Sequence, residues 1–148
     1  DSLLVEVTMS ADVGDIEELV AAEVSADEAP ERTLAVLEQF NRHVADAEVQ
    51  YRTALRLYLD QWLQRVEAGE EAPEVREGRR RRWFEQTLAP LRGRVPDERW
   101  DALVVALCLL SGPEALAVLH DVCHIDDDEE ARRAVRWAAE ALLAAALE

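Results

Sequence analysis

The chain has no lysine: all sixteen of its basic residues are arginine, against thirty-two acids. Residues 1–31 hold ten acids and no base at all. A net charge of −16 excludes a chain that grips a polyanion unaided, because nucleic-acid affinity is largely phosphate neutralisation by Lys and Arg. Only two cysteines occur, Cys108 and Cys123. That excludes a disulfide framework and suits a reducing cytoplasm, the expected location. No apolar run reaches the ~18 residues that a bilayer span needs, and the longest, Ala102 to Leu110, is half that. No membrane association is expected. Neither a secretory signal nor a lipidation motif is visible. Period-two alternation is absent too, which argues against a sheet. Five glycines and five prolines fall at a few points that read as punctuation.

What remains is helix-forming. Ala, Leu, Glu and Arg fill most of the 148 residues, half of the chain is hydrophobic, and one domain of this length can bury a substantial core. The arginine, alanine and leucine bias also suits a GC-rich genome. Periodicity predicts a first helix from about Ser2 to Ala22, interrupted near Asp12-Val13-Gly14-Asp15. A second follows from about Pro30 to Ala45, with the stripe Leu34, Leu37, Phe40, Asn41 and Val44. A third spans about Asp46 to Ala68, with Tyr51, Leu55, Tyr58, Trp62 and Val66 on one face. Gly69 and Pro73 end it, and a fourth runs from about Pro73 to Leu91. The fifth starts at Asp97 and is apolar on every side between Ala102 and Leu110, which predicts burial all round. At Ser111-Gly112-Pro113-Glu114 the helix breaks and restarts, with Ser111 as the expected cap and Glu114 reaching back to it.

The last helix opens on the acids Asp126 to Glu130, read as a capped N-terminus and not as a metal site. From Ala131 onward its polar residues Arg132, Arg133, Arg136 and Glu140 share one sector. The rest is apolar over more than half the circumference, against the ~100° stripe that one core requires. A helix apolar on two sides must bury two sides, so a homodimer is expected.

The stretch SGPEALAVLHDVCHIDDDEEARRAVRWAAEALLAAAL, with the preceding WDALVVALCLL, resembles the C-terminal part of bacterial TetR-family transcriptional regulators. VREGRRRRWFEQTLAPLRGRVPDERW and YRTALRLYLDQW are similar to the same region. The opening DSLLVEV, which lacks an initiator Met, resembles the first turns of the helix that follows the family's helix-turn-helix, and no DNA-reading residue has a counterpart here. The resemblance implies one all-helical effector-binding and dimerisation domain over residues 1–148, with helix 1–22 leading from an absent DNA-binding unit. It also implies dimerisation through the last two helices as an intermolecular four-helix bundle, with Leu116, Leu119, Ala131, Val135, Ala138, Leu142 and Ala145 as the interface. Its effector pocket would lie between the second through fifth helices. The residues there are Phe40, His43, Tyr51, Leu55, Tyr58, Trp62, Trp83, Phe84, Thr87, Trp100, Val104 and Cys108, with Asn41, Gln86 and Ser111 near enough to add polar groups. That composition suits a small apolar or aromatic effector. No cofactor is implied, and DNA would be a partner only through the absent unit.

Other constellations carry less. Arg79 to Arg82 point in four directions around a helix and read as an ion-paired face. His120, Cys123 and His124 have the spacing of a partial zinc site without a second ligand pair. Ser111, His120 and Asp121 form no triad, since the last two diverge by about 100° on a helix, and nothing resembles a nucleophile elbow. The chain is not expected to be an enzyme. A stand-alone helical interaction module, its acidic surface suited to a basic protein, is the alternative reading.

Overall fold

Glycine and proline mark several of the helix breaks, and one helix, the last, starts on a side-chain cap. The computed structural model describes residues 13–148. It contains α1 (Gly14–Ala21), α2 (Ala29–Asp46), α3 (Glu48–Glu67), α4 (Arg79–Leu88), α5 (Asp97–Leu109), α6 (Gly112–Ala117) and α7 (Asp128–Leu147). A 3-10 turn, Ala89–Leu91, extends α4, and a π-helical turn, Val118–Val122, extends α6. No strand occurs among the described residues, so the all-α expectation holds. No single helix there is long and apolar enough to cross a membrane. The part of the first predicted helix before Val13 lies outside the described residues.

The amphipathic α2 is central. Pro30 sits in its first turn, where a missing N–H costs nothing. Leu34, Val36, Leu37, Phe40 and Val44 are buried along it, and it packs against α1, α4, α6 and α7. A buried polar pair, Thr33 and Thr87, is satisfied. The Thr33 hydroxyl donates to the Ala29 carbonyl at 2.8 Å and lies 3.0 Å from the Thr87 hydroxyl of α4. At the far end, Asp127 accepts from the Glu129 N–H at 2.9 Å, so the acid cluster does cap α7.

Three expectations need correction. The fourth helix begins at Arg79, not Pro73. Gly78 precedes it at φ +71°, and arginines hold the upstream segment outside a helix. Arg65 donates to the Glu74 carbonyl at 2.8 Å, while Arg76 lies over the Tyr58 ring and pairs with Glu114. Second, α5 buries Trp100, Leu103, Val104 and Leu107 but leaves Ala102, Val105 and Leu109 exposed, because no element among the described residues covers that side. Third, Ser111 does not cap α6. Its hydroxyl donates to the Cys108 carbonyl at 3.1 Å, and Glu114 turns to Arg80.

The 61° bend between α5 and the α6 segment is fastened from two sides. From α2, the Asn41 amide donates to the Leu110 carbonyl at 3.0 Å and accepts from the Gly112 N–H at 2.9 Å. From α4, Arg80 donates to the Ser111 carbonyl at 2.5 Å and to Glu114 at 2.8 and 3.0 Å. These bonds satisfy backbone groups that a helix break would otherwise strand.

Candidate functional site

Of the aromatic residues expected to line a pocket, Phe40, Tyr51 and Trp83 pack against one another. The Phe40 ring meets Tyr51 and Trp83 edge-on, with centroids 6.3 and 5.2 Å apart, and His43 meets Tyr51 at 5.7 Å. Such edge-to-face pairs fill space with favourable quadrupole contact. Phe84, Thr87 and Val104 are fully buried beside them. Trp100 is buried as well; its indole N–H donates to the Leu88 carbonyl at 3.1 Å and Arg92 lies over its ring. Leu55, Tyr58 and Cys108 are half-buried, and Trp62 is exposed on the outer half of α3 with Leu59 and Leu63. Burial pushes the Cys108 thiol pKa up, against the pull of Arg80 and Arg81.

A cavity of about 300 Å³ opens elsewhere, between α2, α6 with its π turn, and α7. None of the twelve residues named for the effector lines it; Asn41 does. Four residues named for the dimer interface form its apolar floor: Leu116 and Leu119 from the α6 side, Ala131 and Val135 from α7. Room exists because the walls carry small residues, with Ala45 on α2 and Gly112 and Ala115 on α6. The rim is charged: Glu38, Arg42 and Asp46 from α2, Asp128 and Arg132 from α7. Arg136 clamps α7 to α2, donating to Glu38 at 2.5 Å and to Glu140 on its own helix at 2.6 Å.

The same helix has a second apolar side. Ala131, Ala139, Leu143 and Ala146 are buried on the inner face of α7. Ala134, Trp137, Ala141 and Ala145, spaced three and four residues apart, are exposed on another face. Trp137 is 75% exposed. Among the remaining interface residues named from sequence, Ala138 is half-buried and Leu142 and Ala145 are exposed. Sequence reasoning missed Trp137, although its spacing from Ala134 and Ala141 placed it on that stripe.

The π turn has its own network. His120 Nδ1 lies 3.0 Å from a Glu48 oxygen, Arg52 donates to the same oxygen at 3.0 Å, and Arg52 forks onto Asp121 at 2.8 and 2.9 Å. Arg52 lowers the Asp121 pKa, chiefly through these bonds. For Glu48, burial raises the pKa, but hydrogen bonds from His120 and Arg52 outweigh it and the net shift is downward. The network ties α3 to the α6 segment. Among the described residues no group of three or more His, Cys, Asp or Glu could hold a metal ion.

The arginine run is fully engaged with protein. Arg79 faces Glu77 and Glu17, Arg80 holds Glu114, Arg81 pairs with Glu85 at 2.7 Å, and Arg82 donates to the Glu77 carbonyl at 2.7 Å. No protein-family model, curated protein or solved structure matches the chain.

Proposed function

We propose that the chain is the ligand-sensing and dimerisation domain of a TetR-like transcriptional regulator whose helix-turn-helix unit precedes residue 1. One observation carries this reading: α7 lines a cavity with Ala131, Arg132 and Val135 and carries the exposed stripe Ala134, Trp137, Ala141 and Ala145 on another face. A ligand on one face and a second copy of the chain on the other would share one helix. The proposed route to DNA runs through α1. Helix α2 lines the cavity and packs against α1, and α1 is the first described helix in chain order after the proposed DNA-binding unit.

A ligand acts by binding one arrangement of these helices better than another. Two recognition helices must sit about one DNA turn, ~34–36 Å, or its multiples apart to hold an operator. A ligand-bound α1 that changes this separation would release the operator, which is the behaviour of a repressor.

The coding sequence directly upstream tests the regulator reading. An in-frame helix-turn-helix unit ahead of Asp1 supports it, and a start codon close to Asp1 favours a stand-alone interaction module. In a gel assay, this chain alone should give no operator-specific shift.

A further inference from the structure

Most charges around the cavity already have partners within the chain. Glu38 is engaged by Arg136 at 2.5 Å, Arg132 faces Glu129 at 3.3 Å, and both ends of the Asn41 amide are spent on the α5–α6 bend. Three groups remain without a hydrogen bond or ion pair among the described residues: Arg42, Asp46 and Asp128. Asp46 is the last residue of α2 and Asp128 the first of α7, so the two carboxylates come from different walls of one cavity. Both are exposed at the mouth, above the floor formed by Leu116, Leu119 and Val135.

Two free carboxylates against one guanidinium leave the rim negative. The chain as a whole adds to that potential, with its net charge of −16. An anion entering the cavity would face both acids, whereas a cation would complete them. The floor asks for an apolar body, and about 300 Å³ is the lower end of the range for ligand cavities, which selects a small molecule.

We propose that this cavity binds a small amphipathic amine. Its ammonium group sits at the mouth with Asp46 and Asp128, and its hydrocarbon or aromatic part rests on Leu116, Leu119 and Val135. The inference rests on the reading of the cavity as the effector site and adds the chemical class of the effector.

Isothermal titration of the chain with phenethylamine, phenethyl alcohol and phenylpropionate separates charge from shape. The amine should bind about tenfold or more tightly than either analogue, a difference of ~1.4 kcal/mol, and its affinity should fall as salt is added. Asp46→Asn with Asp128→Asn should abolish that advantage while leaving the alcohol unchanged. Ala45→Leu, which narrows the cavity, should weaken all three. Equal or tighter binding of phenylpropionate, or an amine affinity indifferent to the double substitution, overturns the amine class. If the analogues still respond to Ala45→Leu, the cavity remains a binding site. Absence of binding by all three, or binding indifferent to Ala45→Leu, overturns the cavity reading together with the amine.

Discussion

Gly112 opens α6 at φ +84°, in the left-handed region. An alanine there meets two separable costs. The backbone conformation alone costs an L-residue roughly 1–2 kcal/mol. The added Cβ would also overlap Arg80 Nη1 and come within 3.0 Å of Glu114 Oε2. Arg80 has a flexible end and can move, but it donates there to the Ser111 carbonyl and to Glu114. Losing a hydrogen bond to a charged group costs about 1.5–3 kcal/mol, so Gly112→Ala should lose about 2.5–5 kcal/mol in total. Gly69 supplies the control: it sits at φ +92° with nothing within 4 Å of an added Cβ. Gly69→Ala should lose only the conformational part, about 1–2 kcal/mol. Urea denaturation followed by circular dichroism reads both. In an Arg80→Ala background the excess cost of Gly112→Ala should vanish, because no guanidinium is left to displace. Equal losses at the two glycines in the wild-type background would refute the claim that Arg80 and Gly112 fasten the bend together.

Glu114 gives a pH signature. Burial pushes its carboxyl pKa up, but hydrogen bonds and charge from Arg80 and then Arg76 outweigh burial and hold it at about 2. A carboxylate depressed by folding contributes stability that is complete above its ordinary value of 4.5 and is lost as pH falls towards 2. Its side chain is 38% exposed, so solvent screening limits that contribution to about 1–2 kcal/mol. Glu114→Gln should therefore flatten the fall of the urea midpoint between pH 4.5 and 2, and an unchanged slope would contradict the pairing. Ala72 occupies φ +45° in the exposed loop after α3. Ala72→Gly should raise stability by about 0.5–1 kcal/mol, the relief of a left-handed backbone less the added chain entropy; a lower melting temperature would argue against strain at this position.

Much of the architecture was legible in sequence because it follows from local rules. The stripe from Leu34 to Val44 placed α2, Gly69 marked the end of α3, and Asp127 sat in the acid cluster that caps α7. The start of α4 was not legible, because Arg65 and Arg76 hold the preceding segment through contacts with Glu74, Tyr58 and Glu114 that no local pattern encodes. Aromatic content also could not distinguish a lined pocket from edge-on packing. Phe40, Tyr51 and Trp83 carry the same spacing in either case, and the edge-on ring geometry between them has no local sequence signature. The cavity arises from volume that is missing at Ala45, Gly112, Ala115 and Ala131, and missing volume leaves no periodic trace. The two-sided character of α7 was visible as a broad apolar arc. Which residues took which side was not, since Val135 turns to the cavity and Trp137 to solvent.

The central claim is that the outer stripe of α7 meets a second copy of the chain. Sedimentation velocity at micromolar concentration tests it most directly, on the wild type and on Trp137→Glu. Trp137 is 75% exposed, so the substitution leaves the monomer core intact. The wild type should sediment at twice the 16.7 kDa chain mass, and Trp137→Glu should sediment as a folded monomer. A wild-type monomer, or a dimer indifferent to Trp137→Glu, would contradict the account.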